Sequence, residues 1–197
     1  MRASSLTNLS SGLLFGGVFL SGALFSSSST AATFDINLSN ESAQIRYATV
    51  IGGSTLGRTE SSVALLYTDS EKYVVDFSLL VIDVAGSKSP GLEVGVGPKF
   101  FYANGDNGNA VAIGLGGQLR YKIPGLQRVN FGIDGYYAPN IVSFADASNM
   151  YEIGLRLGYE ILPTADVYTG YRRIHANYDL GEETLDEAVV FGLRVSF

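Results

Sequence analysis

Three groups of side chains in this 197-residue chain are of types that do chemistry, and spacing alone weighs each of them. The single histidine, His175, follows Arg172 and Arg173 closely. An imidazole there would act as the base of a lipid hydrolase or acyltransferase if a serine nucleophile and an orienting carboxylate stood near, and no local spacing supplies them. The acidic run Asp179, Glu182, Glu183, Asp186 and Glu187 carries charge for divalent cations but lacks the ligand spacing of a calcium loop, so it reads as a solvated external loop. Gly114, Gly116 and Gly117 resemble a nucleotide loop only superficially, because no helix follows them. No catalytic residue, cofactor or metal is therefore assigned. The remaining chemistry-bearing groups are arginines, lysines and carboxylates at even spacing, and their role depends on the elements that hold them.

Those elements follow from a two-residue rhythm running from about Phe34 to the C terminus. Leu92, Val94, Val96 and Phe100 alternate with Glu93, Gly95, Gly97 and Lys99, and Tyr151, Ile153, Leu155, Leu157 and Tyr159 alternate with Glu152, Gly154, Arg156 and Gly158. Successive strand residues point to opposite faces, so each segment has an apolar and a polar surface. The glycines lie on the polar face, where a water-exposed strand gains nothing from losing a side chain, whereas a narrow barrel interior gains room. The expected fold is all-β: a transmembrane antiparallel up-and-down β-barrel of about ten strands, or about eight if the first pair is one irregular segment. The alternative is a soluble periplasmic β-barrel binding protein with its apolar face inside.

Strands are expected near residues 34–39, 42–50, 61–69, 72–84, 91–104, 109–122, 126–138, 149–161, 165–176 and 186–197. With the last strand running toward the periplasm, loops at 105–109, 139–148 and 177–185 are extracellular; the connectors 51–60 and 85–90 fit badly, being long for periplasmic turns. Tyr67, Tyr73, Tyr102, Tyr137, Tyr151 and Tyr171 fall at the upper ends of outward faces and Tyr121, Tyr159 and Phe197 at the lower ends, as expected of rings at the two headgroup layers. Pro98, outward in a central strand, predicts a bulge. The apolar residues Ile141, Val142 and Phe144 in an external loop predict a lid over the mouth, or else a small binding patch.

By parity the inward bases are Arg46, Lys99, Arg120, Lys122, Arg128, Arg156, Arg172 and Arg194, and the inward acids Asp76, Glu93, Asp134, Glu152, Glu160 and Asp166. The signs nearly balance, which points to cross-lumen ion pairs that fill the interior rather than to an ion-selective pore. Asp76, Glu93, Arg120, Asp134, Glu152 and Arg156 are the candidate plug residues. With no bulge intervening, Arg173 and His175 have outward parity near the upper rim, where they would contact lipopolysaccharide phosphates.

The N-terminal segment has Arg2, an apolar run from Leu13 to Phe25, then serines and Thr30, Ala31 and Ala32, the order of a secretory signal peptide. Residues 1–32 are expected to be leader, with cleavage after Ala31 or Ala32, and 33–197 the barrel. With 13 basic and 19 acidic residues the chain is acidic, which excludes nucleic acid as a partner, and the absence of cysteine leaves the hydrogen-bond ladder to hold an exported fold. A monomer is expected.

Three stretches also carry a resemblance: Asn37 to Gln44, Tyr136 to Pro139 followed by Ser143 to Asp146, and Gly170 to Ile174. In order and spacing they resemble the YfaZ family of Gram-negative outer-membrane proteins over nearly the whole mature chain. The terminal Phe197, with alternating apolar residues before it, is similar to the signal read by the barrel assembly machinery. The resemblance implies a small outer-membrane barrel but no reaction, and no functional residue is carried over from it. The functional expectation is an envelope-structural, adhesive or narrow-conduit barrel, not an enzyme. Its rival is a lipid-modifying enzyme with a rim site near His175.

Overall fold

The computed structural model describes residues 31–55, 57–85, 91–179 and 181–197. Almost all of the expected leader lies outside them. The strands are β1 (Ala32–Leu38), β2 (Ser42–Ser54), β3 (Gly57–Thr68), β4 (Tyr73–Val84), β5 (Leu92–Gly105), β6 (Gly108–Lys122), β7 (Val129–Ala138), β8 (Ser143–Ala145), β9 (Ala147–Leu162), β10 (Ala165–Tyr178) and β11 (Gly181–Ser196). Each pairs antiparallel with its sequence neighbours in the wall, and β1 pairs with β11, closing a ten-stranded barrel to which β8 is a short addition. Closure of the wall pairs its first strand with its last, and reciprocal backbone bonds between Ala32 and Phe197 at 2.8 and 2.9 Å seal the end at which β1 begins and β11 finishes. That end is the periplasmic one in the orientation read from the sequence.

The apolar parity faces out. Leu115 is 71% and Phe191 67% exposed, in a continuous coat with Phe34, Leu65, Phe77 and Leu157. So large an apolar surface is incompatible with a barrel bathed in water, which overturns the soluble alternative. The upper aromatic layer is present as cross-strand neighbours: Tyr67 opposes Tyr73, whose ring centroid is 5.9 Å from that of Tyr102, and Tyr137 opposes Tyr151.

Four sequence expectations need correction. The connectors at 51–60 and 177–185 are mostly strand. Gly53 pairs with Arg58, Ser54 with Gly57, and Tyr178 with Gly181, so both hairpins run on beyond the apolar belt, where no hydrocarbon demands alternation. Pro98 causes no register shift. The β4–β5 ladder keeps its register but lacks two pairs there, Leu79 with Pro98 and Leu80 with Gly97, the Leu79 carbonyl lying so close to Gly97 that any Cβ would collide with it. Ile141, Val142 and Phe144 do not cap the mouth: β8 lies edge-on along the top of β6, Phe144 opposing outward Val111, and Ile141 is 84% exposed. Arg128 sits exposed in the β6–β7 connector rather than in the lumen, because β7 starts one residue later.

Candidate functional site

The candidate site is the lumen, and its periplasmic part is built around Asp35 on β1. The Asp35 carboxylate accepts Nε and Nη2 of its cross-strand partner Arg194 at 2.9 and 2.8 Å, accepts the Tyr168 hydroxyl, and lies 3.5 Å from Arg156 Nη1. Arg156 also donates to Asp134 at 3.1 Å. The guanidiniums of Arg156 and Arg194 stand 5.5 and 5.8 Å from the Tyr168 ring centroid, within cation–π range. Glycine makes this packing possible. A Cβ on Gly192 would overlap the Tyr168 ring, and one on Gly154 would meet the Asp134 carboxylate.

A second cluster crosses the lumen from β5 to β9. Lys99 is fully buried, at 0% exposure; its ammonium donates to Glu152 at 2.8 Å, lies 3.6 Å from Asp76, and sits 4.3 Å from the Tyr136 ring centroid. Arg46 approaches Asp76 at 3.8 Å from β2. A third cluster centres on Arg172, which donates to Asp186 at 2.8 Å, Asn37 at 2.6 Å, Gln44 at 2.9 Å and Ser42 at 3.1 Å. Burying so many charges is costly in isolation, and the cost is offset because each group in these clusters faces opposite charge and most are hydrogen-bonded; Asp76 Oδ1 has no hydrogen bond and is held by Lys99 and Arg46 at 3.6 and 3.8 Å.

Toward the extracellular end the lumen turns apolar. Leu66, Val74, Phe101, Met150, Ile174 and Leu185 pack with the inward alanines Ala103, Ala110, Ala112, Ala138 and Ala176, and Phe101 meets Tyr136 edge-on at 6.4 Å. Leu80 and Ile82 extend this core down β4. Above it, Lys72 in the β3–β4 turn reaches Glu183 of β11 at 2.7 Å and Asp106 in the β5–β6 turn at 3.0 Å, while Glu183 also accepts the backbone N–H groups of Asp106 and Asn107 at 3.0 Å each. Three hairpin tips are thereby clasped together. Burial works against the Lys72 ammonium, but its hydrogen bonds to Glu183 and Asp106 outweigh burial and hold its pKa above the ordinary lysine value. Glu183 and Asp186, read from the sequence as part of a solvated loop, are thus buried partners of Lys72 and Arg172.

All six plug candidates face the lumen. Asp134 and Arg156 meet each other, and Asp76 and Glu152 converge on Lys99. Glu93 pairs instead with Arg58 near the periplasmic rim, in a bidentate contact at 2.9 and 3.0 Å, while Arg120 makes no ion pair among the described residues. Asp35 and Asp186 were missed, the first because β1 is short and its pairing could not be read, the second because, although it opens the expected strand 186–197, it was read with the acidic run as external. Cavities within the charged network measure about 20, 20 and 10 Å³, roughly one water each. A larger chamber of about 220 Å³ lies at the periplasmic end.

On the upper outer wall, Arg173 stands 3.6 Å from Glu187, which also accepts the Tyr171 hydroxyl at 2.7 Å. The His175 ring lies 5.1 Å from that of Tyr151 and hydrogen-bonds Thr184 and Asn177 at 3.1 and 3.3 Å, with Glu182 at 3.7 Å. These partners do not compose a serine–histidine–carboxylate relay.

The profile of the family described as YfaZ precursor matches residues 17–197. The chain belongs to the YfaZ family. Family membership, the closed wall and the apolar coat together make this YfaZ protein an integral outer-membrane β-barrel. No curated protein sequence matches it. Among solved structures it is similar to the outer membrane channel DcaP of Acinetobacter baumannii, at 14% identity and TM-score 0.42 over 83% of this chain, and it spans about half (54%) of that channel's length. It is also similar to the NanC porin (12% identity, TM-score 0.41, covering 85% of this chain and 98% of that one) and to the KdgM porin (10%, 0.43, 85% and 99%).

Proposed function

We propose that this YfaZ protein is a lumen-filled barrel with an envelope-structural role, closed to solute diffusion. The observation that carries this reading is the filling of the lumen above the periplasmic chamber, three buried charge clusters below an apolar core, with only water-sized cavities inside the network. In this reading Asp76, Asp134, Glu152 and Arg156 belong to the plug, the outer wall meets lipid and lipopolysaccharide with Arg173 and His175 at the rim, and Phe197 presents the signal for the barrel assembly machinery. Recording from the refolded protein in a planar bilayer tests it. The expected result is silence over a wide voltage range; reproducible unitary steps would replace the structural role with a narrow conduit.

A further inference from the structure

Among the described residues, Arg120 is the one lumen cation with no carboxylate within 4.0 Å. Its guanidinium hydrogen-bonds Gln118 at 3.4 Å, long for such a bond. Yet it lines both the chamber of about 220 Å³ at the periplasmic end and the small cavities above it. The other bases on the chamber wall, Arg194 and Lys122, are held by Asp35 and by Glu160. The wall's carboxylates are engaged as well: Glu93 by Arg58 and Asp166 by the Asn130 amide at 3.0 Å. Glu60 lines the inner cavity of about 10 Å³ with Arg120 but makes no ion pair with it.

A planar guanidinium with open donors, facing an accessible chamber, suits a planar or tetrahedral oxyanion. We propose that the periplasmic chamber binds a small oxyanion, a carboxylate or a phosphate, on Arg120. The chamber is smaller than the roughly 300–1,000 Å³ of drug-sized sites, so the ligand is small. The site is a blind pocket beneath the filled lumen, and neither silence nor conduction in a bilayer decides whether it binds.

The test is calorimetric titration of the refolded full barrel in detergent with inorganic phosphate and, separately, acetate, at constant ionic strength held by chloride. Saturable binding in the millimolar range or tighter is expected for at least one anion, and which one binds separates the two chemistries. Arg120→Gln should weaken it about tenfold or more, the loss of a charge-assisted hydrogen bond, while Lys72→Met, at the extracellular end of the barrel, should leave it unchanged. No saturable binding of either anion, or unchanged binding in Arg120→Gln, would overturn the proposal. Should that variant not refold, the wild type still decides. The bound anion should slow modification of Arg120 by an arginine-specific dicarbonyl, read by mass spectrometry, and absence of protection would equally overturn the site.

Discussion

The two parts of this lumen solve the same filling problem with opposite chemistry. Near the extracellular mouth, alanines from several strands leave space that Phe101, Met150, Ile174 and Leu185 occupy, so the interior is a small dry core of the kind found in soluble domains. Lower down, glycines leave space for arginines, carboxylates and Tyr168. Apolar filling tolerates imprecision, because dispersion is non-directional and a lost contact is small. Charged filling does not, because each removed partner strands another charge away from water. The lower lumen should therefore be the less forgiving of the two.

Lys99 against Met150 puts that contrast at its largest. Lys99→Ala leaves Glu152 without its cation and Asp76 with only the longer contact to Arg46, and is expected to cost about 3–5 kcal/mol in denaturant unfolding of the refolded barrel. Met150→Leu, equally buried but in the apolar part, should cost less than about 1.5 kcal/mol. Similar values for the two would mean that water reaches the Lys99 cluster and that the lumen is not dry.

A smaller effect is expected where the space for a charge cluster is carved. Gly192→Ala places a methyl group against the Tyr168 ring, whose hydroxyl is fixed on Asp35, and should cost about 1–3 kcal/mol. In the double variant with Tyr168→Ala the clash has no partner, so the two costs should fall short of adding. Strict additivity would show that the ring moves aside freely and that Asp35 does not anchor it.

How much of this was legible in the sequence depends on which neighbour imposes the constraint. Hydrocarbon imposes a strict alternation, so the outward stripe through Leu92, Val94 and Val96 located its strand to within a residue or so; the other wall strands were read from the same alternation with ends off by up to five residues, and the first pair only as one of two readings. Outside the hydrocarbon nothing enforces alternation. Gly52 to Ser54 and Glu182 to Glu183 therefore looked like loop while forming ladder. The apolar part of the lumen was hidden for another reason: Phe101 faces inward between Phe100 and Tyr102, and Ala112 between Val111 and Ile113, so the sequence has no contrast there. Cross-lumen partners such as Asp35 with Tyr168 depend on register around the whole circumference, and a single strand does not encode that.

The smallest expected effect belongs to the clasp above the apolar core, and it shows whether the dry part is kept dry from outside. Lys72 holds the β3–β4, β5–β6 and β10–β11 tips together through Asp106 and Glu183. Its pKa is raised in the folded barrel, so its contribution is fully present below the unfolded lysine value of about 10.4 and is lost as pH rises through the folded value. The amides of Asp106 and Asn107, which donate to Glu183, report the clasp directly. After correction for the intrinsic rise of exchange with pH, their hydrogen-exchange protection should hold through neutrality and fall only in the alkaline range. Lys72→Met should lower it at all pH values, leaving the protection of ladder amides in β5 and β6 unchanged. If protection at Asp106 and Asn107 survives Lys72→Met, Glu183 alone ties the tips and the apolar core closes the mouth without help from the lysine.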